Sequence, residues 1–282
     1  MSEEKHACSG DCGSCGHRQE EESCKLKANL ARVRHKIVVL SGKGGVGKST
    51  VAVNLAVALA LAGRKAGLLD ADLHGPSVPR MTAAAASGPV YEDDRILPVE
   101  TDGIKVMSVG YLLEATDTPV IWRGPMKIGV IRQLLSEVAW GELDCLVVDT
   151  PPGTGDEPLS VCQLLAETGA DGAVIVTTPQ SVAALDVSKS INFCKQLGFP
   201  VLGLIENMSG FVCPHCGKET PIFSAGSGER LAAEYGVKLL GRIPIDPLVC
   251  QCGDDGKPFV HFAAKTAAGR AFQGIVDALA ID

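Results

Sequence analysis

No run in this chain approaches the ~20 consecutive apolar residues that a membrane-spanning helix requires, although 46% of its 282 residues are hydrophobic. There is no surplus of positive charge either: 26 Lys and Arg stand against 33 Asp and Glu, a net charge of −7. That balance argues against nucleic acid or an anionic membrane as the main partner. A basic amphipathic tail is missing as well. The last helix-like stretch, 265–280, has Lys265 and Arg270 as its only basic residues and runs into Asp282. The first residues are charged and cysteine-rich, unlike a secretory signal. The eleven cysteines are therefore expected in a reducing compartment, where metal or redox chemistry is a better expectation than a disulfide framework. A cytoplasmic protein with no membrane or nucleic-acid partner is expected.

What is present is glycine at chosen points. Ser41-Gly42-Lys43-Gly44-Gly45-Val46-Gly47-Lys48-Ser49-Thr50 lies between an apolar run, 37–40, and a helix-like run, 51–61. Strand, glycine-rich loop and helix are the context in which G-x-x-x-x-G-K-[ST] is a phosphate site. Without Cβ atoms in the way, backbone N–H groups converge on an anion, and the helix adds its positive end. Lys48 is expected on the β- and γ-phosphates and the Ser49 hydroxyl on Mg²⁺.

Downstream, apolar strands alternate with helix-length segments, the pattern of an α/β domain with a mostly parallel sheet. Strands are expected at 65–69, 104–109, 143–148, 173–177, 201–205 and 238–240, and helices at 127–138, 182–197, 227–235 and 265–280. Residues 79–103 read as a long connection, of the kind that is functional or mobile. Two strand ends carry carboxylates: Asp70-Ala71-Asp72, suited to Mg²⁺ and an attacking water, and Asp149, at the Walker B position for Mg²⁺. The glycines of Pro151-Pro152-Gly153-Thr154-Gly155 behind Asp149 can follow the γ-phosphate by backbone contact. Arg123 could contact phosphate or a partner, or be solvated.

The cysteines form two groups. Cys8, Cys12, Cys15 and Cys24 sit within residues 1–35, with almost nothing apolar around them, so this segment is expected to be a flexible extension ordered by a ligand. Its four thiolates suit a [4Fe–4S] cluster or tetrahedral zinc. Cys213-Pro214-His215-Cys216-Gly217 has the form of a metal-knuckle turn. Two thiolates do not complete a site. Either a twin subunit supplies two more, giving a bridging [4Fe–4S] cluster, or Cys250 and Cys252 close an intrachain zinc site. Cys145, Cys162 and Cys194 lie in apolar patterns and are expected in the core.

The extra lysine makes the phosphate loop resemble the deviant Walker A loop of the MinD, ParA and nitrogenase iron-protein class. In that class the residue at Lys43 acts across a dimer on the partner's phosphates, the one at Asp72 positions or activates water, and the one at Asn207 reads the adenine edge, with the backbone near Pro244 flanking the base. Adding Asp70-Ala71-Asp72-Leu73-His74-Gly75-Pro76-Ser77, Trp122-Arg123-Gly124-Pro125, Asp149–Asp156, Glu206-Asn207-Met208-Ser209 and the Cys213/Cys216 pair, residues 36–275 are similar to the Mrp-type iron–sulfur cluster carrier ATPases. The N-terminal cysteines are similar to those of the eukaryotic cytosolic branch.

The resemblance implies a P-loop NTPase domain over 36–282 after the 1–35 extension. It also implies a homodimer with Mg-ATP in each subunit, slow ATP hydrolysis, a labile [4Fe–4S] cluster bridged by Cys213 and Cys216, and delivery of that cluster to apo iron–sulfur proteins. Two alternatives come from other classes. A reductase passing electrons from a bridging cluster would place one ligand cysteine in each of two separate loops. A positioning ATPase with a structural zinc site would need a basic face or tail.

Overall fold

Four segments are buried on consecutive rather than alternate residues: 37–40, 66–70, 145–149 and 172–177. Strands read this way when helices cover both faces of the sheet. The computed structural model describes residues 12–86, 88–92, 95–112, 124–180, 183–213, 215–223 and 226–281, with side chains from residue 20 onward. Helix α1 (Cys12–Leu30) leads into strand β1 (Val33–Leu40), helix α2 (Lys48–Leu61) and β2 (Ala66–Asp70). Next come a short helix α3 (Val78–Met81), the strands β3 (Val90–Glu92), β4 (Arg95–Leu97) and β5 (Val99–Thr101), and β6 (Ile104–Ser108). The centre of the chain is α4 (Gly124–Ser136), β7 (Leu143–Asp149), α5 (Asp156–Ala166), β8 (Gly172–Thr177), α6 (Ala183–Gln196) and β9 (Val201–Val212). β10 (Glu219–Thr220), α7 (Ser227–Tyr235), β11 (Leu239–Ile245), α8 (Pro247–Asp254), α9 (Phe259–Phe262) and α10 (Ala267–Leu279) complete it.

The main sheet runs β10-β9-β8-β1-β7-β2-β6-β5, with β11 also on β9. Its pairs are parallel except β5 with β6 and β10 with β9. One face packs Leu26 and Leu30 of α1, Ile131 and Leu134 of α4, Val161 of α5 and Ile191 of α6. The other packs Val51, Leu55 and Leu59 of α2 with Phe259, Phe272 and Ile275. The expected P-loop α/β architecture is present, and the parallel register sends the C-terminal ends of β1, β2 and β7 to one edge.

Several local expectations change. The 79–103 connection contains α3, a 3₁₀ turn at Ala83–Ala86, the antiparallel β3–β4 pair and β5. Strands of three residues are too short for periodicity to reveal. β9 continues to Val212 rather than ending near 205, because β11 and β10 pair with its second half. β11 likewise runs through Pro244, a tolerable site for proline at the sheet margin. At the other end of the chain, α1 packs onto the domain instead of standing apart: Leu26, Leu30 and Val33 are fully buried or nearly so. Two leucines four residues apart give a narrow apolar stripe, which a count of apolar residues over 1–35 dilutes. Cys145, Cys162 and Cys194 are buried in the core as expected.

Leu30→Ala should therefore destabilise the whole domain, not merely fray its start. A loss of about 2–5 kcal/mol is expected for truncating a buried leucine, read as a lower urea midpoint with an unchanged slope.

Candidate functional site

The loop between β1 and α2 is shaped by two glycines in the left-handed region, Gly45 (φ 79°) and Gly47 (φ 78°). Gly47 is the N-cap of α2, and no side chain caps the helix there. Its first-turn N–H groups therefore remain available to an anion. A Cβ on Gly47 would run into the Asn207 amide, and one on Gly42 into the backbone of Asp186 in α6. The Ser41 carbonyl accepts from the N–H of Gly153 at 2.7 Å, joining the phosphate loop to the segment behind Asp149. Val46 is buried, Gly44 and Gly45 are exposed, and Ser49 and Thr50 are half-buried at the start of α2.

Register brings the charged residues together. Asp70 and Asp149 end the adjacent strands β2 and β7 directly opposite one another, and the N–H of Ala71 donates to the Asp149 carbonyl at 2.8 Å. Lys48 is almost fully buried, with Nζ 2.5 Å from Asp149 Oδ1 and 3.3 Å from Ser49 Oγ. Burial pushes the Asp149 carboxyl up, while Lys48 works against that shift. Burial, with Asp149 beside it, pushes Asp70 up to about 8. Asp70 is held by the Asp72 and Val78 N–H groups and by the Ser108 hydroxyl, so its carboxylate is occupied in supporting the loop. The Asp72 carboxylate accepts from the N–H groups of His74 and Gly75, both at 3.1 Å.

Asp149 Oδ2 is buried without a hydrogen-bond partner. An orphaned carboxylate oxygen close to a serine hydroxyl is the donor chemistry that Mg²⁺ takes, so Ser49 and Asp149 fit that ion. Lys43 Nζ lies 3.4 Å from Gln180 Oε1, away from the Lys48–Asp149 pair.

Beside the loop is a cavity of roughly 510 Å³ whose lining includes Gly47, Thr50, Arg80, Met81, Asn207 and Pro244. Asn207 Nδ2 donates to the Val46 carbonyl at 2.9 Å, tying β9 to the phosphate loop. Glu206, buried next to it, accepts from the Gly228 N–H and the Ser209 hydroxyl, both at 2.6 Å, and so fixes α7 against β9. Sequence reasoning missed Arg80 and Met81, for which Pro79 just inside the start of α3 was an available helix signal; it included Glu206 in the Glu206-Asn207-Met208-Ser209 motif but gave it no role.

At its far end β9 delivers Cys213 to a turn in which Gly217 N–H donates to the Cys213 carbonyl and Cys213 N–H to the Lys218 carbonyl, at 2.9 and 3.0 Å. Cys213 is half-buried and Cys216 exposed. The N–H groups of Cys216 and His215, together with the Cys216 thiol, hold the Cys213 thiol below its usual range. Cys250 and Cys252 are on α8, where Cys250 lines the cavity instead. Among the described residues, no group of three or more His, Cys, Asp or Glu could hold a metal ion, so the intrachain zinc alternative finds no four-ligand set there. Cys24 is exposed on α1, and Cys12 and Cys15 are in its first turns. Cys8 and Arg123 lie outside the described residues.

The buried pair gives a pH-dependent expectation. Asp70 has a folded-state pKa above its ordinary 3.8, so its contribution to stability is complete below that value and is lost as pH rises through about 8. Lys48→Met removes the cation that faces these carboxylates. It should cost about 3–5 kcal/mol at about pH 8.5, where Asp70 carries charge beside Asp149, and clearly less at about pH 5.5, where Asp70 is protonated. Urea unfolding of the nucleotide-free protein at the two pH values measures it.

The model of the ParA family described as NUBPL iron-transfer P-loop NTPase matches residues 32–280. An iron–sulfur cluster carrier protein of Methanocaldococcus jannaschii is 51% identical, over 95% of each chain. The cytosolic Fe–S cluster assembly factor NUBP2 of Bos taurus is 49% identical over 90% of this chain and 95% of its own. Among solved structures, a nucleotide-binding protein of Archaeoglobus fulgidus in complex with ADP is 42% identical and superposes with a TM-score of 0.74, covering 84% of this chain and 92% of that one. The cell-division ATPase MinD of Pyrococcus furiosus, at 24% identity and a TM-score of 0.62 over 87% and 98% of the two chains, shares the fold. With its phosphate loop, its paired strand-end aspartates and a family match spanning almost the whole sheet, this chain belongs to the ParA-type, NUBPL-like iron-transfer P-loop NTPases.

Proposed function

We propose that this chain is an iron–sulfur cluster carrier. Two copies hold a [4Fe–4S] cluster between the Cys213/Cys216 pairs of each, bind Mg-ATP, hydrolyse it slowly, and pass the cluster to apo iron–sulfur proteins. The observation that carries this reading is the placement of a lone, accessible C-x-x-C pair at the tip of the strand that also bears Asn207. Two thiols are presented at the end of β9 while Asn207, midway along the same strand, touches the phosphate loop. The names of the relatives at 51% and 49% identity support the same cargo. The ADP carried by the Archaeoglobus relative supports an adenine nucleotide in the cavity beside Asn207 and Pro244.

In this reading the N–H groups of residues 44–50 and Lys48 bind the phosphates. Lys48 then exchanges part of its pairing with Asp149 for the nucleotide. Ser49 and Asp149 hold Mg²⁺, which neutralises phosphate charge when bound. Asp72 orients the attacking water, and Lys43, half-buried at the loop surface, reaches the phosphates of the facing copy, where a cation offsets charge developing in the transition state. Closing two copies on ATP and relaxing after hydrolysis biases the protein between holding and releasing the cluster. The N-terminal cysteines, Cys8, Cys12, Cys15 and Cys24, belong to a Cys-rich extension whose own cluster requires the start of α1 to unwind, because Cys12 and Cys24 lie about 18 Å apart along that helix. A cytoplasmic location follows from the thiol chemistry, and no described helix is long and apolar enough to cross a membrane.

After anaerobic reconstitution, Cys213→Ala/Cys216→Ala should lose the iron and sulfide of one [4Fe–4S] cluster per dimer. The wild type should give up that cluster to an apo acceptor without changing its oxidation state. A double variant that dimerises and binds as much iron as the wild type overturns the bridging site. A cluster that stays bound and only changes oxidation state favours the reductase.

A further inference from the structure

We propose that Lys127 and Glu157 are positioning residues for ATP hydrolysis, anchoring His74 so that the loop bearing Asp72 holds its place over the phosphate site. The inference rests on the ATPase reading above. The loop between β2 and α3 is folded locally by Asp72, whose carboxylate takes the N–H groups of residues 74 and 75. That turn orients the carboxylate within the loop, but it does not fix where the loop stands relative to α2 and β7. Leu73, fully buried, sets its depth.

The lateral anchor is a three-residue cluster drawn from three elements. Lys127, in the first turn of α4, places Nζ 2.7 Å from Glu157 Oε1 and 2.9 Å from His74 Nε2. Glu157 is in the first turn of α5, directly behind the Asp149 loop, and its Oε1 is 3.2 Å from the same His74 nitrogen. Lys127 can only donate and the Glu157 carboxylate can only accept, so the Lys127–Glu157 pair is the fixed core of the cluster, and His74 Nε2 joins it within hydrogen-bond distance of both. Both charged side chains are only 15% exposed, unlike an ordinary surface pair. Burial pushes the Glu157 carboxyl up, but hydrogen bonds from Lys127, its own N–H and His74 outweigh that and hold it below the usual range. The cluster thus ties together the Asp72 loop, the Asp149 loop and α4. A displacement of a reacting group by ~1 Å costs up to about 100-fold in rate, so a tether of this kind acts on the chemical step and not on binding.

Lys127→Met and Glu157→Gln test this, with Lys127→Arg as the conservative control. In the full chain, kcat for ATP should fall by about 10- to 100-fold in the first two variants. KM and the affinity for a fluorescent ATP analogue should stay within about two-fold, because those variants leave the phosphate loop intact. Lys127→Arg should recover most of the loss, since it keeps a donor cation at the site. A kcat within about two-fold of wild type in both variants overturns the proposal. A parallel loss of kcat, affinity and thermal stability, unrescued by arginine, also does so, because it marks a merely structural role. Should the wild type itself hydrolyse no ATP, the preceding reading has failed. The anchor is then judged by amide exchange of residues 71–77 with Mg-ATP bound: faster exchange in Lys127→Met sustains it, and unchanged exchange overturns it.

Discussion

The pairing of buried Lys48 with Asp149 is the interaction on which the site depends. It puts a lysine from the first turn of α2 against an aspartate at the end of β7, with Asp70 beside them at the end of β2. Burying ionisable groups is costly unless each meets a counter-charge. Here Lys48 meets Asp149, Asp70 is satisfied by N–H and hydroxyl donors, and Asp149 Oδ2 is left without a partner. The arrangement is poised for a ligand that brings its own charges: phosphate oxygens for Lys48 and a divalent cation for Asp149. The parallel sheet supplies the geometry, because it is the register of β1, β7 and β2 that lines up loop and carboxylates.

The second constraint is the length of β9. Asn207 touches the phosphate loop, Glu206 clamps α7, and Cys213 stands six residues further along. Six residues reach at most roughly 20 Å, and the stretch that joins the thiols to the cavity beside Asn207 bends at Met208 (φ 57°) and Gly210 (φ 91°). A non-glycine residue in the left-handed region beside a ligand cavity is the kind of local strain that marks a functional segment.

Cluster carriage and nucleotide chemistry make opposite demands on the chain. The phosphate site is assembled inside one subunit from buried, mutually fixed groups. The Cys213/Cys216 turn offers one half-buried and one exposed thiol, which in the proposed reading suits a cargo that must arrive and leave. N–H groups around the Cys213 sulfur favour its thiolate, and in that reading two such thiols leave places for two more ligands.

Much of this was legible in the sequence because it is local. The glycine spacing around Lys48, the aspartates closing apolar runs and the C-x-x-C turn each depend on a few neighbouring residues, and the all-apolar strands declare a parallel sheet. What the sequence did not disclose is set by partners distant in the chain. β9 reaches Val212 because β10 and β11 pair with it, Leu26 and Leu30 dock because α4 offers a face, and Arg80 and Met81 reach the cavity because α3 folds over it. The same holds for His74, Lys127 and Glu157, which come from three elements and mean nothing as a motif. The sequence by itself determined the chemistry available, since residue types and short spacings fix donors, acceptors and ligands. Only the tertiary structure decided which of them meet, because burial and strand register depend on long-range pairing that no local pattern encodes.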